Sequence, residues 1–297
     1  MKDKVLLQTA NALVASVQKL SSPGLLEGKM GVAFFLYHYA RYSGHTVYSD
    51  FASHLIYDIL EKISGQKLSF SNGLSGVTWA INYLLKEHYI FSDDDILEDF
   101  DHYFVRCIKE QSNKDMLDSS IYLACCRPKL LDEAMASVLE RQINVLLSSG
   151  HHPLPVLNKV LALVRRMPQI CNKRLPDALI QAIDAGLFRY ADIVICRDLL
   201  DAFNNISDNK AWNMLCDRCS SILNKRNTVT DCIETVWQYA VFLDNAINAD
   251  CDTGYISQKV AETVNDIKTE HLYLTTGLPA MGMAILLTSK SDDGTSQ

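Results

Sequence analysis

Cys216-Asp217-Arg218-Cys219 spaces two thiols one helical turn apart, a spacing used for soft metals and for redox chemistry. A metal centre built this way needs a second such pair, and the chain has no second Cys-x-x-Cys. Trp212, Leu215 and Ile222 fall on the same helical face, so the spacing predicts core thiols on an amphipathic helix. Cys125 and Cys126 are adjacent, and adjacent side chains on a helix diverge, so they do not predict a shared metal. Asp93-Asp94-Asp95 follows Ser92 and precedes Ile96, the pattern of a helix start favoured by the helix dipole. No glycine-rich phosphate loop and no serine nucleophile elbow is present.

The segments that carry these residues read as helices. Leu6, Ala10, Leu13, Val14 and Val17 share one face; so do Leu55, Ile56, Ile59, Leu60 and Ile63, and Ile96, Leu97, Phe100, Phe104, Cys107 and Ile108. Other segments, such as 31–39 and 281–287, are apolar almost all round, as buried helices are. The two kinds alternate. Starts of the buried kind fall near Gly28, Gly73, Asp118, Pro153, Ala191, Asp231 and Gly277, about 40 residues apart, the mark of a helical repeat. The expected architecture is all-α: seven helical hairpins closed into one α/α toroid over residues 1–297. The first and last buried helices are among the most apolar, where an open solenoid would carry polar caps.

Length and composition agree with a large helical core: 297 residues, 48% apolar. The net charge of −7 without a basic stripe argues against nucleic acid and anionic membrane surfaces as partners. Nine scattered cysteines fit a reducing cytoplasm better than a disulfide framework. The N-terminal segment lacks the pattern of a signal peptide, and no apolar run is long enough for a membrane span.

Three segments share one grammar: GLLEGKMGVAFFLY (24–37), SNGLSGVTWAINYLL (71–85) and TTGLPAMGMAILL (275–287). Glycine there would tolerate positive φ in a tight turn and let backbones crowd together at the head of each buried helix. The free N–H groups of those starts would face one end of the ring.

These three segments resemble the first, second and last inner repeats of the lanthionine synthetase C-like family. The resemblance implies the seven-hairpin toroid. In cyclases of that family it also implies a zinc ion at the mouth, which activates a peptide thiol for addition to a dehydrated Ser or Thr. Their ligands are a Cys in a Trp-Cys-aromatic-Gly motif on the fifth inner helix and a Cys-His pair on the sixth. Here the fifth start reads FRYADIVIC (188–196), with Ala191 near the first ligand position. The sixth reads VTDCIETVW (229–237): Cys232 is the residual ligand candidate, and Ile233 stands where the histidine would. One thiolate is not a zinc site, so the expected cofactor is none.

The resemblance also matches Asp118 in MLDSSIYL (116–123), and His151 and His152 in SGHHPLPV (149–156), to a family Asp and His implicated in proton handling. Asp118 and His152 are thus candidate catalytic acid and base. Against that, Asp118 reads equally as an N-cap, and His152-Pro153 as an ordinary helix entry. The expected function is a divergent, zinc-less member that binds a precursor peptide or a partner modifying enzyme in bacterial peptide maturation. The alternatives are an acid–base enzyme in the same cavity, or a purely structural interaction protein.

Overall fold

Helices with two patterns of burial alternate along the chain, as the apolar spacing requires. The computed structural model describes residues 2–62, 67–110, 116–148, 150, 152–170, 173–186, 188–203, 210–223 and 253–288. Among them the regular structure is helical, with no strand. The α-helices are α1 (Lys2–Ser16), α2 (Lys29–Ser43), α3 (Thr46–Glu61), α4 (Leu74–Lys86), α5 (Glu98–Lys109), α6 (Met116–Cys126) and α7 (Glu133–Ser148). They continue with α8 (Leu154–Arg166), α9 (Leu175–Asp184), α10 (Tyr190–Phe203), α11 (Lys210–Leu223), α12 (Thr253–Val264) and α13 (Leu278–Thr288).

α2 buries every residue from Met30 to Ala40, whereas α3 buries only Tyr48, Ala52, Leu55, Ile56 and Ile59. The same contrast separates α6, buried from Asp118 to Ala124, from α7, which buries a stripe of Met135, Ala136, Leu139, Ile143 and Leu147. An apolar stripe needs one covered side, and an all-round apolar helix must be covered on all. Of the seven expected starts, Gly28, Gly73, Pro153 and Gly277 immediately precede helices, Asp118 is the third residue of α6, Ala191 is the second residue of α10, and Asp231 lies outside the described residues, as do Ile63 and His151. Ile96 and Leu97 precede α5, which begins at Glu98; Ile96 is exposed and Leu97 buried. The Asp93–Asp95 run forms a turn ahead of that helix, where Asp95 accepts the Leu97 N–H at 3.2 Å.

The described residues fall into two compact units: those up to Leu97 together with 253–288, and those from Glu98 to Leu223. In the first, α2 packs on α3, α4 and α13, and α1 packs on α12 and α13. The last buried helix therefore lies against the first. In the second, α8 lies between α6 and α10, with α5 against α6, α9 against α8, and α11 against α9 and α10.

Candidate functional site

The glycine-marked heads of α2, α4 and α13 meet in the first unit. Leu274 N–H donates to Leu26 C=O at 2.8 Å, and Leu26 N–H donates to Ser71 C=O at 2.8 Å. The loops ahead of the three helices are thereby stitched into one arc, last to first to second. Within each loop the chain doubles back over its own helix start. Lys29 N–H reaches Ser22 C=O at 3.0 Å, and Leu74 N–H reaches Lys67 C=O at 2.8 Å, the same register in both heads. These bonds satisfy donors that a helix start leaves without intrahelical partners.

The doubling back explains the glycines. A Cβ on Gly31 would overlap Leu25 C=O, and one on Gly76 would overlap Phe70 C=O. Close approach is therefore their role, while the positive-φ turn expected at these heads is absent. Gly28 and Gly73 are extended, at φ −157° and −137°. Among the described residues the glycines with positive φ are Gly44, Gly150 and Gly186, none of them at a head. Gly44, at φ 74°, caps the C-terminus of α2 through its N–H to Ala40 C=O.

In the second unit Asp118 lies inside the first turn of α6 and not at its N-cap, because the helix begins two residues earlier. Its carboxylate is buried and pairs with Lys159 Nζ of α8 at 2.5 Å. His152 is half-buried, and its Nε2 is 2.6 Å from Leu146 C=O, so that nitrogen carries the proton and donates. The two candidate catalytic residues thus have different partners: Asp118 an ammonium, His152 a backbone carbonyl. The head of α10, beside Ala191, is held by Asp192, which is buried. Its carboxylate accepts the Arg189 backbone N–H at 3.1 Å, and its C=O accepts from Asn158 Nδ2 at 2.8 Å.

Among the described residues no group of three or more His, Cys, Asp and Glu side chains is placed to hold a metal ion. Alanine at 191 brings no donor, the Asp118 carboxylate is engaged by an ammonium, and Cys232 lies outside the described residues. The described donors do not fit a catalytic zinc, and no chemical step is derived through one. Cys216 and Cys219 are both buried, as their face predicts. Cys125 and Cys126 end α6, where burial pushes the Cys126 thiol well above its usual range.

One cluster carries no sequence signal because it joins the end of α2 to the loop after α4. The Arg41 guanidinium lies 3.3 Å from the centre of the Tyr89 ring and donates to Glu87 C=O at 2.8 Å. Tyr89 O–H meets Nδ1 of the buried His38 at 2.8 Å. Arg41 and Tyr89 border a cavity of about 280 Å3 shared with Tyr37, Thr46 and His88.

Residues 3–143, from α1 into α7 and just under half of the chain, match the model of the lanthionine synthetase C-like protein family. No curated protein and no solved structure matches it. The matched stretch contains the heads of α2 and α4 and Asp118. The third glycine head lies beyond it, yet is bonded to the first through Leu274 and Leu26. No helix of the described residues is long and apolar enough to cross a membrane.

Proposed function

We propose that the chain serves peptide maturation of the lanthionine type as a zinc-less member of its family. It binds a precursor peptide, or the enzyme that modifies it, at the end of the first unit where the glycine heads join. This reading takes residues 1–297 as one domain acting in the cytoplasm, without nucleic acid or membrane. The supporting observation is the arc from Leu274 through Leu26 to Ser71. It keeps three buried helix starts of the family's kind side by side. Ala191 and Ile233, where the resemblance places zinc ligands, suit recognition better than ring closure.

Two measurements test it. Metal analysis of protein purified without chelator is expected to find zinc well below one per chain; a stoichiometric amount overturns the zinc-less reading. Fluorescence polarisation with a labelled synthetic precursor rich in Ser, Thr and Cys, native and dehydrated, is expected to show saturable binding without loss of peptide thiols. Failure of both forms to bind overturns peptide recognition by this chain, and thiol loss overturns the non-cyclase reading.

A further inference from the structure

The far end of α2 holds a hollow that the glycine heads do not explain. Arg41 stands twelve residues after Lys29, the first residue of α2, so about 18 Å of helix separates it from the Gly28 head. The end of α2, the start of α3 and the turn after α4 together line the cavity of about 280 Å3. The polar groups of its wall fall into two sets. The Tyr37 hydroxyl meets Ser53 Oγ at 2.7 Å, Ser49 Oγ donates to Thr46 C=O at 2.7 Å, and the Tyr89 hydroxyl meets Nδ1 of His38 at 2.8 Å, so these are engaged within the fold. The Thr46 hydroxyl and the His88 ring nitrogens hydrogen-bond to no protein group among the described residues. Arg41 donates from Nη2 to Glu87 C=O at 2.8 Å, lies over the Tyr89 ring, and has no carboxylate partner among the described residues.

Charge and rigidity single out the second set. The chain carries a net charge of −7, yet no acidic side chain lines the cavity. Asp50 and Glu87, next in sequence to the wall residues Ser49 and His88, are exposed. Arginine keeps its charge throughout the usual pH range, and its planar fork matches a carboxylate. The Tyr89 ring and the Glu87 carbonyl fix the guanidinium before any ligand arrives, which lowers the entropy lost on binding. His88 is held at φ 57°, and backbone strain of this kind gathers at ligand sites. Its ring stacks on Phe91, which is 83% exposed, so a large apolar surface adjoins the cationic hollow.

We propose that this cavity is a docking site for an acidic side chain of a peptide partner. The carboxylate pairs with Arg41 and accepts from the Thr46 hydroxyl and the His88 ring, while an adjoining apolar residue covers Phe91. One fixed cation balances the single charge of a carboxylate and leaves most of a phosphate monoester's second charge unmatched. The exposed Phe91 ring gives a peptide a contact that a free carboxylate cannot make. The site lies at the other end of α2 from the arc of glycine heads and does not rest on it, so its failure leaves the reading of that arc untouched.

The test is fluorescence polarisation on the full chain with short labelled Gly-Ser peptides that carry a central Glu-Leu, Gln-Leu, Glu-Ser or phosphoserine-Leu pair, and with free glutarate as competitor. The Glu-Leu peptide is expected to bind at least about tenfold more tightly than the Gln-Leu peptide, and more tightly than the other two. R41Q is expected to erase the preference for Glu over Gln. F91S is expected to erase the preference for Leu over Ser and to keep the preference for Glu. The peptide comparison on the unsubstituted chain gives the answer even if R41Q folds poorly, and F91S alters only an exposed ring. Failure of every peptide to bind, equal binding of the Glu-Leu and Gln-Leu peptides, or a preference that folded R41Q retains overturns the proposal. Tighter binding of the phosphoserine peptide overturns the carboxylate as the group recognised, and glutarate that binds as tightly as the Glu-Leu peptide overturns a peptide as the occupant.

Discussion

Lys159 Nζ lies 2.5 Å from Asp118 Oδ1, a bond between α8 and α6 in which the carboxylate is 7% exposed and the lysine side chain 30%. The aspartate that family resemblance marks for proton handling is thus neutralised by a neighbouring helix. Removing the ammonium takes the ion pair from an almost wholly buried carboxylate.

K159M, which keeps most of the stem, is therefore expected to cost about 2–3 kcal/mol, below the cost for a fully buried pair because lysine is partly exposed. D118N is expected to cost less, about 1–2 kcal/mol. The double variant should recover part of the sum in urea unfolding. Strictly additive losses would show that the pair is not coupled.

The head glycines and the cap glycine should separate cleanly. A Cβ on Gly76 meets the Phe70 backbone carbonyl and the Leu25 side chain, neither of which can retreat without opening the head. G76A is expected to lose more than about 3 kcal/mol or to fail to fold. At Gly44 no atom lies within 4 Å of the point a Cβ would occupy, so G44A carries only the strain of φ 74°, about 1 kcal/mol. Equal melting temperatures for the two variants would refute the crowding at the heads.

Tyr122 gives the fold an alkaline limit. Its hydroxyl donates to Asp101 Oδ1 at 2.6 Å, and Arg127 Nε holds Oδ2 at 2.6 Å. Burial above all, and then the bond to Asp101, raises the phenol pKa. The unfolded phenol ionises near its usual value of about 10 while the folded one keeps its proton, so above that pH the unfolded state binds fewer protons. Stability is complete below pH 10 and falls above it, by about 1.4 kcal/mol per pH unit for one tyrosine. Y122F should flatten that decline while costing about 1.5–3 kcal/mol at neutral pH. An unchanged alkaline slope would show that Tyr122 is not its source.

His88 has φ 57°, the only positive φ at a non-glycine position among the described residues. Its exposed ring stacks on Phe91, which is itself 83% exposed, so the ring contributes little burial. H88G is expected to raise stability by up to about 1 kcal/mol, and H88A to give no such gain, in thermal melts. A gain for alanine equal to that for glycine would rule out backbone strain as the cause.

Local features of the chain are legible in its sequence, and pairings between helices are not. Gly28, Gly73 and Gly277 mark helix heads because a glycine before an apolar run is a local signal, and helices begin at the next residue in each case. The reason for the glycines is only half legible: crowding by a carbonyl is visible once the loop path is known, and positive φ belongs to Gly44 instead. Asp118 stands out in its motif, but nothing near it in sequence announces Lys159, because the pair forms only when α8 packs on α6. The burial of the Cys-x-x-Cys follows from its helical face. The residual ligand candidate Cys232 lies outside the described residues.

The bond from Leu274 to Leu26 joins points about 250 residues apart, and it sets a schedule for synthesis. At ~5–20 residues per second, the first helix head waits roughly 12–50 seconds on the ribosome before its partner is made. During that interval the side of Phe35 that Gly282 later covers has no cover, a window in which a chaperone can hold the nascent chain.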